Sequence, residues 1–286
     1  MAGMELVKKL REASGAGILA CQKALKECSD DYEKAFDLLR KQGVAKASSK
    51  ADRETSEGLC CIEENNNGYA IVKLSCETDF VAKNEKFQNL LSKITKTALE
   101  NKSSNVEKLL DASVDGKSVK DLITEGIASI GENIVLSNVV YRELSNGKSA
   151  VYYVHNKADN QEKMGRIVTA TIAEGADKDE AKTLLKNIDM HITAMSPLGL
   201  NEESVDAEVV AREKAIYEEQ VSKLNKPAEI AQKMIEGKLR KFYEECVLLN
   251  QMFVLDNKNS VKNVIENFNK SNGTALKLIS FDRVAI

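Results

Sequence analysis

The sequence has few of the residues from which catalytic centres are usually built. It contains only two histidines, His155 and His191, so a histidine triad or a two-histidine metal site would have to use both. His155 ends a strand-like run, whereas His191 lies in a helix-like stretch, and neither has a short ligand spacing such as H-E-x-x-H. This shortage argues against both kinds of site.

The sequence also has no phosphate-binding loop of the form G-x-x-x-x-G-K-[ST]. Gly15 and Gly17 lack the third glycine of a dinucleotide fingerprint and follow a helix-like segment where that motif needs a strand, so they predict a turn. Carboxylates are abundant, but none forms an isolated pair in an apolar context of the kind used for acid and base work. We therefore expect a protein that is not an enzyme, with no catalytic residues, no cofactor and no metal.

The cysteines do not form a C-x-x-C pair of the kind found in zinc and redox sites. Free buried thiols in a reducing cytosol are the simpler interpretation. A nucleophile at Cys60 or Cys61 is the enzyme alternative, but adjacent residues of a strand point to opposite faces and no histidine or aspartate stands near them in sequence. The six cysteines are Cys21, Cys28, Cys60, Cys61, Cys76 and Cys246.

Charge and hydropathy argue against nucleic acid and membrane as direct partners. Lys+Arg number 41 and Asp+Glu 44, a net charge of −3, which does not suit a surface that neutralises phosphates. No stretch approaches the roughly 18 apolar residues of a membrane span. Glu5 stands where a signal peptide would build its apolar region. We expect a soluble, cytoplasmic protein.

Apolar residues at helical spacing predict three short helices over residues 4–42, with Met4 on the apolar face of the first. Ser29, Asp30 and Asp31 cap the third helix, and Gly43 stands where a helix often ends in a left-handed glycine. A bundle of about 45 residues buries little, so we expect a module of residues 1–45 tied to a larger body. Residues 46–57 are small, polar and charged, and they are predicted to be a linker or a helical extension.

The next segment, residues 58–144, is predicted to form the first half of an α+β core. Two strand-like runs flank Asn65-Asn66-Asn67-Gly68, a strong signal for a tight hairpin. An amphipathic helix through residues 87–98, a helix near 117–130 and a strand at 134–144 complete this half.

Residues 145–205 repeat that plan, with strands at 149–155 and 165–173 followed by a helix. We therefore expect a duplicated core with antiparallel sheets, and we assign residues 250–286 to its second half. The intervening residues 206–249 are rich in charge and are interrupted at Pro227, which predicts an inserted antiparallel helical hairpin with narrow apolar seams that projects into solvent. Two surface helices packed flat are the alternative.

Three stretches resemble the elongation factor Ts family. Residues 7–17 (VKKLREASGAG), followed by CQKAL at 21–25, are similar to the family's N-terminal module, and residues 78–84 (TDFVAKN) are similar to its central contact motif. The helical hairpin and the strand after it are matched by KP at 226–227, KMIEGKL at 233–239, KF at 241–242 and QMFV at 251–254. Order and spacing agree over nearly the whole chain, so the combined match is specific although each motif alone is weak.

The resemblance implies a ubiquitin-associated-like three-helix module, a two-part α+β core and a coiled-coil hairpin. It also implies a function, guanine nucleotide exchange on elongation factor Tu. An exchange factor breaks no covalent bond, and the phosphate loop and Mg²⁺ belong to its partner.

By similarity, Thr78, Asp79, Phe80 and Val81 would contact elongation factor Tu at the turn between a strand and a helix. The Phe80 ring would insert between helices of the GTPase domain and disturb Mg²⁺ and phosphate binding, so that GDP leaves faster. Without the resemblance, Phe80 would be interpreted as a residue that packs on its own helix. Thr78 and Asp79 are also expected to cap that helix.

The resemblance places further contacts outside this motif. Arg11, Ile18 and Leu19 would face the GTPase domain, with Ile18 and Leu19 at positions where the family more commonly has methionine. His191 matches a family segment at the surface of the core, and we assign it a contact role.

Two questions stay open at this point. The main alternative function is a helix-binding adaptor or scaffold, in which residues 1–45 recognise a protein segment and the core has no exchange activity. The narrow seam of the hairpin could support a homodimer or a 2:2 complex, or it could contact the partner.

Overall fold

The computed structural model describes residues 3–145 and 147–286 and shows an α+β fold with antiparallel strand pairing. This confirms the predicted fold class. The helices are α1 (Met4–Ser14), α2 (Ile18–Glu27), α3 (Tyr32–Ser48), α4 (Asp79–Ala82), α5 (Glu85–Glu100), α6 (Val106–Leu110), α7 (Val119–Ile130), α8 (Asp179–Met195), α9 (Ala207–Ser222), α10 (Ala228–Cys246) and α11 (Val261–Asn272). The strands are β1 (Glu57–Asn65), β2 (Gly68–Cys76), β3 (Ser113–Val114), β4 (Lys117–Ser118), β5 (Ile134–Glu143), β6 (Lys148–Lys157), β7 (Met164–Glu174) and β8 (Lys277–Ala285).

Contacts divide the chain into two compact units. The first unit comprises residues 1–143, 156–168 and 284–286, and the second comprises residues 144–155 and 169–283. The finer division of the chain into a module, a linker, two core halves and a hairpin insertion stays a prediction.

In the first unit, β2 lies between β5 and β1, and both pairings are antiparallel. Asn65 pairs with Gly68 across the turn, which confirms the predicted hairpin. One face of α5 is fully buried against this sheet at Phe87, Leu91 and Ile94, as its apolar spacing predicts. The strand β2 therefore ends within this core at Cys76, immediately before the motif at residues 78–84.

The N-terminal module consists of three helices, as predicted, but the third is longer than expected. The Asp31 side chain caps α3 by accepting a hydrogen bond from the Lys34 backbone N–H at 3.1 Å. The prediction that α3 ends at Gly43 is wrong, because the helix continues to Ser48, and the alternative of a helical extension after residue 45 is confirmed as far as Ser48. A Cβ atom at Gly43 would lie 3.4 Å from the Cβ of Ala128 on α7, so this glycine allows two helices to approach closely.

The core of the second unit is built around α8. Its buried residues Leu185, Ile188 and Ile192 belong to one apolar cluster with Phe253 and with Val261 of α11. This helix confirms the one predicted after the second strand pair. It also carries three buried polar side chains, Asp189, His191 and Thr193, which the apolar periodicity did not reveal.

The helices α9 and α10 contact each other along a thin seam. Lys238 donates a hydrogen bond to the Gln220 side chain at 3.0 Å, and its ammonium group lies 5.4 Å from the centre of the Tyr217 ring. Val221 is the buried residue of α9, whereas α10 buries Ile235 and Cys246. Two helices packed flat on a surface would each bury a wider face, so the seam favours the helical hairpin.

Candidate partner-binding site

The segment 78–84 forms the one-turn helix α4 directly after β2. Thr78 is the residue before the helix, and its Oγ1 accepts a hydrogen bond from the Val81 backbone N–H at 3.4 Å, which confirms its predicted capping role. Lys83 donates a hydrogen bond to Asp79 Oδ2 at 2.8 Å, and this bond lowers the pKa of the Asp79 carboxyl. Thr78 and Asp79 thus each have a hydrogen-bond partner within the motif.

Phe80 is the exposed member of this turn. Its side chain is 79% exposed, whereas Val81 and Ala82 are buried in the cluster that contains Phe87 and Leu91. The reading of Phe80 as a residue that packs on its own helix is therefore wrong. Instead, the two residues that follow Phe80 anchor the helix, and the ring faces outward.

Glu132, which lies between α7 and β5, forms hydrogen bonds with the turn. Its Oε2 accepts a hydrogen bond from the Thr78 backbone N–H at 3.0 Å, and its Oε1 accepts one from Thr78 Oγ1 at 2.7 Å. The next residue, Asn133, donates its backbone N–H to Glu77 Oε1 at 2.6 Å, and this bond lowers the pKa of the Glu77 carboxyl. Sequence reasoning missed Glu132 because 54 residues separate it from Thr78.

A second exposed apolar area lies at the start of α2. Leu19 is 81% exposed and Ile18 is 50% exposed, whereas Leu25 on the same helix is fully buried in the core of the module. Arg11 is also exposed. The structure thus leaves all three predicted contact residues of the module open to solvent.

Two further apolar residues of the module are exposed and were not predicted to be. Met4 was assigned to the buried face of α1, but it is largely exposed, and the buried residues of that helix are Val7 and Leu10. Val44 on α3 is half-exposed. The spacing of apolar residues gave no signal that separated these two from the core.

His191 does not lie at the surface, and this prediction is corrected by the structure. Its side chain is fully buried. Nδ1 accepts a hydrogen bond from the Val254 backbone N–H at 3.2 Å, so the proton is on Nε2, which donates to Gln251 Oε1 at 3.0 Å. Burial lowers the pKa of His191. The residue connects α8 to the segment after α10, and it is not placed to touch a partner.

The cysteine alternative is also poorly supported by the geometry. Cys60 and Cys61 are both fully buried, and burial raises the pKa of the Cys61 thiol to about 12. A thiol with that pKa stays protonated at neutral pH and is a weak nucleophile.

Neither a metal-binding cluster nor a membrane-spanning helix is present in the described part of the chain. Over residues 3–145 and 147–286, no group of three or more His, Cys, Asp or Glu side chains is arranged to hold a metal ion. Within the same ranges, no helix has both the length and the apolar character needed to cross a membrane.

Comparison with known proteins identifies relatives along almost the whole chain. A sequence model of the family described as "Elongation factor TS" matches residues 77–286, so the match begins one residue before Thr78. The chain is 40% identical to elongation factor Ts of Brucella anthropi over 281 residues, which are 98% of this chain and 91% of the relative. It is 38% identical to elongation factor Ts of Brucella ovis over the same shares of the two chains. These matches confirm the resemblance that the three sequence motifs indicated.

Proposed function

Because the chain belongs to the elongation factor Ts family, we propose that it is a guanine nucleotide exchange factor that binds elongation factor Tu carrying GDP and promotes the release of GDP. The observation that carries this proposal is the outward-facing ring of Phe80 on a turn held by buried neighbours. The protein itself makes and breaks no covalent bond in this process.

Phe80 acts as the wedge. A phenylalanine offers a large apolar area with few rotamers to immobilise, which suits a residue that must insert into an apolar pocket of a partner. Insertion of the ring between helices of the GTPase domain would displace the groups that hold Mg²⁺ and the phosphates of GDP. Thr78, Asp79 and Val81 shape and border the wedge, and GTP loads after GDP has left.

The module supplies a second contact. Leu19 and Ile18 together present exposed apolar area at the start of α2, and Arg11 adds a positive charge at the end of α1. Isolated apolar residues on a surface are ordinary, but neighbouring ones of this size fit a protein contact. We assign this surface to the GTPase domain of elongation factor Tu.

Exchange requires that this protein and GDP weaken each other's binding to elongation factor Tu. The coupling free energy is reciprocal, so GDP must weaken the binding of this protein by the same factor. The protein therefore accelerates exchange in both directions, and the concentrations of GDP and GTP determine the net direction. We place this activity in the cytoplasm, without a membrane or nucleic acid as a direct partner, and a role of the α9–α10 hairpin in a homodimer or 2:2 complex stays a prediction.

The test is the release of fluorescent GDP from purified elongation factor Tu in the presence of Mg²⁺ and excess unlabelled GDP. We expect strong acceleration when this protein is added. If a stable complex forms but GDP release is not accelerated, the exchange function is wrong and the helix-binding adaptor is favoured. Binding that is insensitive to GDP would point to the same conclusion.

A further inference from the structure

Every polar group of the Thr78 residue is engaged. The backbone N–H and the side-chain hydroxyl both donate to Glu132. The carbonyl oxygen accepts from the Ala82 backbone N–H at 3.3 Å and from the Cys76 thiol at 3.2 Å. The hydroxyl oxygen accepts from the Val81 N–H. Of these partners, Glu132 is the one that lies outside the turn and β2.

The two hydrogen bonds to Glu132 determine how Thr78 can cap α4. A hydroxyl group has one proton and two lone pairs. Because the proton is directed to Glu132 at 2.7 Å, the lone pairs are left for the N–H of Val81. The bond from the Thr78 N–H to the same carboxylate fixes the backbone just before α4 begins. The direction in which Phe80 leaves the turn is set by that backbone.

A second connection supports the same position. Asn133 donates its backbone N–H to Glu77, and its side-chain amide donates to the carbonyl oxygens of Ala51 at 3.3 Å and Arg53 at 2.9 Å. Asn133 is buried, so the residue next to Glu132 has little freedom to move. Glu132 therefore holds Thr78 from a fixed point.

We propose that Glu132 is a positioning residue of the exchange site, which holds Thr78 so that Phe80 is presented in its inserting orientation before elongation factor Tu binds. This inference rests on the proposed function. A turn that is ordered in advance does not lose conformational freedom on binding, and such ordering raises affinity for the inserted state. Glu132 acts through Thr78 and Phe80 and need not touch the partner.

The main test is Glu132→Gln. The substitution keeps the shape of the side chain but replaces one accepting oxygen by an NH₂ group, which cannot accept from Thr78. We expect GDP release from elongation factor Tu at a fixed, subsaturating concentration of the variant to fall about tenfold, the size expected for loss of one hydrogen bond to a charged group. Glu125→Gln is the matched control, because Glu125 also accepts a hydrogen bond, at 2.6 Å, but from Lys117, which is outside the turn.

A positioning role for Glu132 predicts a result in a double variant that a purely structural role does not predict. In a Phe80→Ala background, Glu132→Gln should cause no further loss of the residual activity, because the residue through which Glu132 acts is gone. Thr78→Val removes the hydroxyl without altering Glu132, so it serves as the second variant if Glu132→Gln fails to fold. It should reduce release in the same direction, and the effects of the two substitutions should not add.

The outcomes separate this inference from the function on which it rests. If the wild type does not accelerate GDP release, both are wrong. If the wild type is active and Glu132→Gln is equally active, or if the substitution causes the same loss with and without Phe80, the positioning role is wrong and the exchange function stands. Faster hydrogen exchange at the Thr78 amide in Glu132→Gln, together with the non-additive loss, would support the inference.

Discussion

Phe80 and Val81 are adjacent residues on one turn of helix, yet Phe80 is 79% exposed and Val81 is 7% exposed. The buried Val81 contributes to the core, whereas the Phe80 ring contributes little to the fold. Under the proposed function, recognition therefore depends on Phe80 and stability on Val81, although both belong to a single turn. Substitutions can test the two separately.

Phe80→Ala should abolish most of the exchange activity without unfolding the protein. Truncation of a central inserted aromatic residue typically costs about 2 kcal/mol or more of binding free energy, whereas substitution of an exposed residue changes the free energy of unfolding by about 0.5 kcal/mol or less. The measurements are GDP release and thermal unfolding of the same preparation. Unchanged release with unchanged stability would reject the wedge.

Phe87→Ala is the matched control for that variant. Phe87 is fully buried in the cluster that anchors α4. Its truncation should lower the free energy of unfolding by about 3–5 kcal/mol. If Phe80→Ala were as destabilising as Phe87→Ala, the separation of recognition from stability would be wrong.

Leu19→Ala should weaken the complex with elongation factor Tu and leave the melting temperature nearly unchanged, because Leu19 is 81% exposed. Leu25→Ala, on the same helix, should instead destabilise the protein by about 2–5 kcal/mol, because Leu25 is fully buried. Titration calorimetry and thermal unfolding distinguish the two effects. Wild-type affinity for Leu19→Ala would remove this residue from the contact surface.

The elements that could be predicted from the sequence are those fixed by local patterns. Asn65 to Gly68 specify their hairpin through turn chemistry, and the apolar face of α5 follows from its period. The end of α3 could not be predicted, because Gly43 looks like a helix stop until the contact with Ala128 is known. The glycine favours a helix end at this position, whereas the packing of α3 against α7 accommodates a helix that continues.

The candidate site shows the same limit. The motif at residues 78–84 was found through its family resemblance, and the outward direction of Phe80 could not be derived, since a one-turn helix is too short to show a period. Glu132 was missed because only the folded chain brings it to Thr78. His191 was misplaced because its stretch of α8 contains buried polar groups among apolar ones.

Asp189→Asn should flatten part of the pH dependence of stability. Asp189 is fully buried, its carboxyl accepts a hydrogen bond from Thr171 at 3.4 Å, and burial raises the pKa of this carboxyl well above the ordinary value. The unfolded chain therefore loses this proton first as pH rises above about 4, and the free energy of unfolding falls until the folded-state pKa is reached. The variant lacks this fall, so its stability relative to wild type should increase with pH over that range.

Chemical denaturation between pH 4 and pH 8 measures this difference. Asp179→Asn is the matched control on the same helix, because the Asp179 side chain is 98% exposed. We expect its stability to follow the wild type across this range. If Asp189→Asn also runs parallel to the wild type, the buried carboxyl is not the source of the pH dependence.

His191→Gln should reveal the opposite trend. Burial lowers the pKa of His191 in the folded protein, so below about pH 6.5 the unfolded chain takes up a proton that the folded chain does not. Stability from this group is present at high pH and is lost as pH falls, and the variant lacks that loss. At pH 8 the substitution should cost about 1–3 kcal/mol, since it disturbs the hydrogen bond from the Val254 N–H. Equal slopes for the two proteins between pH 5 and pH 8 would contradict this.

The hydrogen bonds from Thr78 to Glu132 also have a consequence for synthesis of the chain, because they cannot form until both residues have been added. The two residues are 54 positions apart, so at about 5–20 residues per second the ribosome adds Glu132 roughly 3–10 seconds after Thr78. During that interval the N–H and hydroxyl of Thr78 lack this carboxylate as a hydrogen-bond acceptor. In a nascent chain, the turn at residues 78–82 therefore gains its hydrogen bonds to Glu132 only after α7 and the start of β5 have been synthesised.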